Sequence, residues 1–471
     1  MSVQFDTIVA TATAAGPAAI AVVRVSGPEA AEIAGRVLFA GRTGPNMTFP
    51  VAESHRLLYG RAVSPTTGDL IDEVMVAWMA APRSFTTEDM VEISCHGGDI
   101  AAAAIVRALI AAGGRPAEPG EFTYRAFVHG RVGLTEAEAV LQVVSAHSAD
   151  GLQRALADLQ GDLAQRIVPA RAAVIMALAY LDASADFPDD EIPTANIAAD
   201  LALAATQLES VLAGARTGRL LSEGATVALL GRPNVGKSSL LNALLRSDRA
   251  IVTPIAGTTR DVVSERAMLD GIPILLLDTA GIAASTDPIE LAGIERSRSA
   301  LQHAVGLVLV IDGSEPLAQD DLSLAEEISA RFDAGGLGEI PLVIALNKAD
   351  RPLQADLAEL WAMLPSTVGV VSVSALTGAG LDQLAGAIGA VLRQGSDPVA
   401  RPALLSERQY GELDRALLLV RGAQEALAAG FPTDLLATDV RLAARAIGRV
   451  TGEDIDDAVL SEIFSRFCIG K

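Results

Sequence analysis

Cysteine is nearly absent. Cys95 and Cys468 are the two thiols in 471 residues, too few for a disulfide framework, and they fit a reducing cytosol, so the protein is expected to be cytoplasmic. With five histidines they cannot build a dense zinc site, so Cys95-His96 reads as a turn ahead of a helix and not as a metal centre. Long apolar runs are also lacking. The longest without a charge, Ala172–Leu181, falls well short of a bilayer, so no membrane span is expected. The opening Met1-Ser2-Val3-Gln4-Phe5-Asp6 carries neither a basic n-region nor a signal-type apolar core, and export is not expected. Basic residues are outnumbered 36 to 58, for a net charge of −22. That balance excludes a broad basic face for a polyanion, so any nucleic-acid contact has to be local or shared with a partner protein.

What the chain has is length and apolar content. Half of its residues are hydrophobic, and the length alone suggests about three domains. One stretch organises the rest: Gly231-Arg232-Pro233-Asn234-Val235-Gly236-Lys237-Ser238, after the apolar run Ala225–Leu230 and before a helical Ser239–Leu245. Strand, G-x-x-x-x-G-K-S loop and helix form a phosphate-binding P-loop. Its glycines let backbone N–H groups curl toward phosphate oxygens. Lys237 supplies a point charge for the β/γ-phosphates, and the Ser238 hydroxyl can ligate Mg²⁺.

Residues 1–120 read as a mixed α/β unit, with strands at Thr7–Val9, Ile20–Val25, Val74–Trp78 and Met90–Ile93 and a buried helix over Ile100–Ala112. Residues 121–221 turn helical, opening on Thr135-Glu136-Ala137-Glu138, a capping box with Thr135 as N-cap. Residues 222–392 carry apolar strands at Ala225–Leu230, Ile272–Leu277, Val305–Ile311, Leu342–Leu346 and Val368–Val373, as in a buried parallel sheet. Asp270-Gly271 predicts a hairpin between Val262–Leu269 and Ile272–Leu277, giving one antiparallel edge strand. Helical texture returns over 393–471. The fold class is therefore α/β and α: an N-terminal α/β domain, a helical domain built from both flanks, and an inserted Ras-like P-loop domain.

Four further motifs follow the P-loop in order. Gly257-Thr258-Thr259-Arg260-Asp261 supplies a switch threonine, Thr259, whose hydroxyl can complete the Mg²⁺ shell. Asp278-Thr279-Ala280-Gly281 follows a strand and places a carboxylate toward Mg²⁺, with Gly281 leaving room for the γ-phosphate. Asn347-Lys348-Ala349-Asp350 offers the Asp350 carboxylate to the paired N–H donors of guanine, which adenine lacks. Ser374-Ala375-Leu376 brings a backbone N–H to the guanine carbonyl. Taken together, the motifs describe a GTPase. Ile282 stands where Ras-type enzymes keep the glutamine that orients water, so another group has to do that work; Glu290 and Asp287 are candidates. Asn234 can help hold a monovalent cation beside the phosphates, doing an arginine finger's electrostatic work.

These motifs, together with Val23-Arg24-Val25-Ser26-Gly27-Pro28, Cys95-His96-Gly97-Gly98, Pro119-Gly120-Glu121-Phe122-Thr123 and the terminal Phe467-Cys468-Ile469-Gly470-Lys471, resemble the MnmE (TrmE) family across almost the whole chain. The resemblance implies a potassium-stimulated, tRNA-modifying GTPase. It implies a homodimer that joins the FAD-dependent MnmG (GidA) protein in a heterotetramer and builds a (carboxymethyl)aminomethyl group at C5 of the wobble uridine. The carbon would come from 5-formyl-tetrahydrofolate or a related one-carbon folate bound by the N-terminal domain. Folate contacts carry over to Arg24, Glu92 and Lys471, and the family's folate lysine falls on Arg131, which keeps the charge but changes the geometry. The family has other residues at Glu118 and Gly133. Potassium ligands carry over to Asn234, Thr253, Ile255 and Thr258, and the water positioner to Glu290. The full nucleotide set adds Val235, Gly236 and Ser239 in the P-loop, and Thr253, Pro254, Ile255, Ala256, Gly257 and Thr258 in the switch. Cys468, in the family's terminal motif, is a candidate for the modification chemistry.

Two other classes compete. A ribosome-assembly or regulatory GTPase would carry a basic RNA-binding appendage, and none is visible. A self-sufficient folate one-carbon transferase would need redox chemistry from elsewhere, because no flavin or nicotinamide fingerprint is present.

Overall fold

The computed structural model describes residues 6–41, 54–186, 196–222, 224–246, 264–278, 304–333, 341–364, 369–393 and 402–470. The chain divides into two compact units: one of residues 1–141, 158–204 and 415–471, the other of 142–157 and 205–414.

The first unit is built on a seven-stranded sheet. Its strands are β1 (Ile8–Thr11), β2 (Ile20–Ser26), β3 (Leu38–Ala40), β4 (Leu57–Val63), β5 (Leu70–Met79), β6 (Met90–His96) and β7 (Arg115–Pro116), in the order β3-β4-β5-β6-β2-β1-β7. Alternation decides which face each side chain takes. Val23 and Val25 of β2, Val74 and Val76 of β5, and Val91 and Ile93 of β6 share one buried face, closed by helices α1 (Ala30–Val37) and α2 (Asp99–Ala111) through Ile33, Val37, Ile105 and Leu109. Arg24 therefore points to the other face, and the antiparallel register of β2 with β6 sets it directly opposite Glu92. The expected strands are all present. The expected helix over 100–112 is shifted by one residue, and its Ile100 is 82 % exposed because it stands on the solvent face of the first turn. Cys95 and His96 end β6 and do not form a turn; the turn is Gly97-Gly98.

Helix α3 (Glu121–Val128) starts from Gly120, whose φ of 69° and close approach to the Phe464 carbonyl exclude a side chain: a Cβ there would lie 2.4 Å from that oxygen. Helix α4 (Leu134–Ser145) begins one residue before Thr135. The capping-box expectation is thus corrected. Thr135 lies inside the helix and its hydroxyl donates to Glu136, because Leu134, fully buried, already anchors the first turn. Then come α5 (Ala149–Leu159), α6 (Asp162–Asp186) and α7 (Ile197–Ser222). By length and composition α6 and α7 are apolar enough to cross a membrane, as core helices of soluble proteins also are.

The second unit is a three-layer α/β arrangement. Strands β8 (Ala225–Leu230), β9 (Ser264–Leu269), β10 (Ile272–Asp278), β11 (Gly306–Asp312), β12 (Leu342–Asn347) and β13 (Gly369–Ser372) form a sheet in the order β13-β12-β11-β8-β10-β9. All neighbours are parallel except β9 with β10. That hairpin turns at Asp270 (φ 50°) and Gly271 (φ 79°), the two left-handed residues a tight primed turn requires. Val227, Val308 and Val343 face one side, with α8 (Lys237–Arg246) and α11 (Leu381–Leu392). Ala228, Leu307 and Ile344 face the other, with α9 (Gln319–Asp333) and α10 (Ala358–Met363). Burial on both faces is why these strands read as unbroken apolar runs. Three more helices complete the chain: α12 (Glu407–Ala428), α13 (Thr433–Thr451) and α14 (Asp457–Ser465). Of these, α13 packs on α6, and α14 packs on α3, where Phe464 meets Tyr124 edge-on at 5.3 Å between ring centroids.

Candidate functional site

The loop after β8 curls because three of its residues adopt positive φ, Gly231 at 150°, Asn234 at 66° and Gly236 at 98°. Gly231 and Gly236 have no room for a side chain: a Cβ on the first would lie 2.4 Å from the Val310 carbonyl, and on the second 2.3 Å from the Asn347 amide. The loop ends at the N-terminus of α8, where the helix dipole favours an anion. Lys237 is 6 % exposed and its ammonium donates to the carbonyls of Gly231 at 2.8 Å and Arg232 at 3.0 Å. The cation is thereby fixed inside the curl. Val235 is buried, whereas Asn234, Ser238 and Ser239 are exposed.

A second cluster stands at the ends of β12 and β13. Asn347, 2 % exposed, donates from Nδ2 to the Val235 carbonyl at 2.8 Å, and its Oδ1 accepts the Ala375 N–H at 3.1 Å. Ser374 donates to Asp350 Oδ1 at 2.5 Å, and that bond holds the Asp350 carboxyl below the usual carboxylate range. Lys348 (φ 65°) pairs with Asp312 at 2.5 Å. Burial alone would raise the Asp312 carboxyl, but the bonds from Lys348 and Ser314 outweigh it and the carboxyl is lowered. Between the two clusters lies a cavity of about 740 Å³, lined by Gly236, Ser239, Lys348, Asp350, Ala375 and Leu376 among others. Its size suits a nucleotide-sized ligand.

The structure thus brings the P-loop and base-motif residues to one cavity. Asp278 ends β10, opposite Leu229 in register. Thr279, Ala280, Gly281, Glu290, Asp287 and the switch Thr253–Thr259, with Arg260 and Asp261, lie outside the described residues, as does Lys471.

In the first unit, Arg24 Nε donates to Glu92 Oε1 at 2.8 Å and one terminal nitrogen donates to the Gly470 carbonyl at 3.2 Å. The Arg24 and Arg131 guanidiniums lie 6.0 and 5.7 Å from the centroid of the Phe85 ring, and Arg131 also donates to the Ser84 carbonyl. Cys468 is exposed, and its carbonyl accepts the Gly120 N–H at 3.5 Å. Three of the expected residues, Arg24, Glu92 and Arg131, therefore meet around Phe85 beside the C-terminal segment. Sequence reasoning did not single out Phe85. A single phenylalanine in a loop carries no pattern, and only the fold shows that two cations flank it. In the same unit Asp6, Glu88 and Glu121 bind Arg115 and Arg125 in a half-buried network whose inner members are Arg125 and Glu121.

Two family models cover nearly all of the chain: "GTP-binding protein TrmE N-terminus" over residues 7–131 and "MnmE helical domain" over residues 134–468. The protein named tRNA modification GTPase MnmE from Chloroflexus aurantiacus is 46 % identical over 469 residues, covering 99 % of this chain and 100 % of that protein. Those of Heliobacterium modesticaldum and Roseiflexus castenholzii, of the same name, are 40 % and 42 % identical, covering 99 % of both chains in each case. Among solved structures, the G domain of the FeoB iron transporter of T. maritima is 28 % identical over 36 % of this chain and 98 % of its own, with a TM-score of 0.26. That score adds nothing to what the sheet order already gives.

Proposed function

The chain belongs to the MnmE family of tRNA modification GTPases, and on that premise we propose that it hydrolyses GTP to drive modification of the wobble uridine of certain tRNAs. It works in the cytoplasm as a homodimer, in a heterotetramer with an FAD-dependent MnmG partner, and adds a (carboxymethyl)aminomethyl group at C5. The observation that carries this reading is the Asn347–Val235 hydrogen bond, which makes the phosphate loop and the guanine-reading motif walls of one cavity.

Within the site, Lys237 and the loop N–H groups bind the phosphates, and Asp350 accepts the guanine N–H pair. Ser374 fixes that carboxylate, and a backbone N–H of the Ser374-Ala375-Leu376 segment would meet the guanine carbonyl. Ser238 and Thr259 would hold Mg²⁺, and Asn234 with Thr253, Ile255 and Thr258 would hold K⁺. When bound, the two cations would supply positive charge to the phosphate oxygens. Glu290 orients the attacking water, replacing the glutamine that Ile282 displaces. In the N-terminal domain, Arg24, Glu92, Arg131 and Lys471 would bind 5-formyl-tetrahydrofolate, which supplies the one-carbon unit. The paired guanidiniums suit an anionic ligand, and the Phe85 ring suits a flat one. Cys468 stands in the same terminal segment and is available to the modification chemistry.

GTP hydrolysis by the purified protein, in potassium and then in sodium at equal ionic strength, tests the first half of this proposal. Strong stimulation by potassium is expected. Slow hydrolysis indifferent to the cation shifts the reading to a regulatory GTPase with an outside activator. Mass spectrometry of tRNA nucleosides from a strain lacking the protein tests the second half, and unchanged C5 modification would overturn it.

A further inference from the structure

The connection from the last residue of β11 to the first turn of α9, Asp312 to Asp321, grips both halves of the nucleotide site. At one end Asp312, 3 % exposed, accepts the Ser314 N–H and hydroxyl on Oδ1 and pairs with Lys348 of the base motif through Oδ2. At the other end Asp321, 1 % exposed, accepts the Ala318 N–H on Oδ2 at 3.1 Å and the Arg232 Nε–H at 3.2 Å. Glu315 takes a terminal nitrogen of the same guanidinium at 2.9 Å. Arg232 is the second residue of the phosphate loop, and its own carbonyl is one of the two that fix the Lys237 ammonium. One residue therefore faces both ways: its side chain is clamped by two carboxylates and its backbone holds the P-loop lysine.

A half-buried ion pair of this kind, with Glu315 exposed, adds little to fold stability. Asp321 Oδ1 is moreover buried with no hydrogen-bond partner, which has a cost of its own. An arrangement that the fold does not need points to one that the site needs. We infer that the 312–321 loop is a positioning brace for the nucleotide site, acting on the phosphate loop through Arg232 and on the base motif through Lys348. The inference rests on the GTPase reading above and deepens it by naming what holds the phosphate loop in its binding form.

The brace acts before chemistry, on the ground state, so its loss weakens GTP and GDP alike and falls on KM rather than kcat. In Arg232→Ala, GTP and GDP affinities measured with fluorescent nucleotides are expected to fall about tenfold, the order of one charge-assisted hydrogen bond. Arg232→Lys keeps the charge without the fork that spans both carboxylates, and recovers only part of that affinity. The double variant Arg232→Ala/Asp321→Ala removes the stranded buried carboxylate, so it separates positioning from structure and carries the test if the single variant does not fold. A brace predicts a melting temperature restored in the double variant with nucleotide affinity still low. Affinity restored together with stability, or Arg232→Ala binding as wild type, would overturn the brace while leaving the GTPase reading intact. Wild-type protein that binds neither nucleotide would overturn the reading itself, and the brace with it.

Discussion

The Asn347 amide donates to the Val235 carbonyl across 2.8 Å, so the motif expected to read the base also holds the loop expected to hold the phosphates. The Ala375 N–H bonded to Oδ1 fixes which end of the amide is which. In Asn347→Ala both bonds vanish, leaving the buried Val235 carbonyl and the half-buried Ala375 N–H unpaired, a cost of about 1–3 kcal/mol. Guanine nucleotide affinity and the thermal stability of the second unit are both expected to drop. A variant that melts as wild type and titrates GDP as wild type would contradict the shared wall.

Asp350 gives a pH test. The Ser374 hydroxyl lowers its pKa, with smaller help from Arg351 and Lys348, so the carboxylate that accepts the guanine N–H groups stays ionised below the ordinary range. The carboxylate's contribution to binding is therefore present above that lowered pKa and lost only as pH falls through it. GDP affinity should run flat from neutrality down to about pH 5. In Ser374→Ala the decline should begin at higher pH. Identical profiles for the two proteins would remove Ser374 from this role.

The half-buried network of the first unit predicts acid sensitivity. The Arg115 hydrogen bond lowers the Asp6 carboxyl. Glu121 is lowered too: burial pushes it up, but bonds from Arg115, the Glu118 N–H and Arg125 outweigh that push. Carboxyls with depressed folded-state values add stability above their unfolded values, and that stability is lost as pH falls through the folded ones. Unfolding of this unit can be followed through Trp78 in a Trp361→Phe background, since the chain has two tryptophans. The urea midpoint should hold steady above about pH 5 and fall below about pH 4. Glu121→Gln should lower neutral-pH stability by about 1–2 kcal/mol, since Arg115 keeps Asp6 and Arg125 keeps Asp6 and Glu88, and flatten the acid limb. An acid limb unchanged in the variant would show that the network does not titrate as described.

Much of the fold was legible because the physics behind it is local. The strands of the parallel sheet are apolar runs since both their faces are buried, and the Asp270-Gly271 hairpin is written in two residues that accept positive φ. Strand β4 was not legible: Leu57–Val63 is half exposed and holds Gly60 and Arg61, so it has neither a run nor clean alternation. Thr135 misled because a capping pattern says nothing of the buried Leu134 beside it. Motif residues near each other in sequence could be read as a site. Pairs joined only by topology could not, and neither the 68-residue step from Arg24 to Glu92 nor the 89-residue step from Arg232 to Asp321 leaves a mark in the sequence.

Gly470 ties the C-terminal segment to the N-terminal sheet, and one methyl group tests what that tie does. Its φ is 92°, and a Cβ there would lie 2.2 Å from the Thr11 carbonyl of β1, a backbone atom that cannot step aside. Its own carbonyl accepts from Arg24 at 3.2 Å. Gly470→Ala therefore adds left-handed strain of about 1–2 kcal/mol and forces the segment off β1. Arg24 then keeps Glu92 as its partner but loses the acceptor that helps set its angle over Phe85. Binding of 5-formyl-tetrahydrofolate, followed by calorimetry, should weaken about tenfold, the equivalent of one charge-assisted hydrogen bond. GDP affinity, measured on the same preparation, reads the other unit and separates a local loss from general misfolding. If folate affinity survives Gly470→Ala, the terminal segment is not part of that site, and the contact between Gly470 and Arg24 serves packing alone.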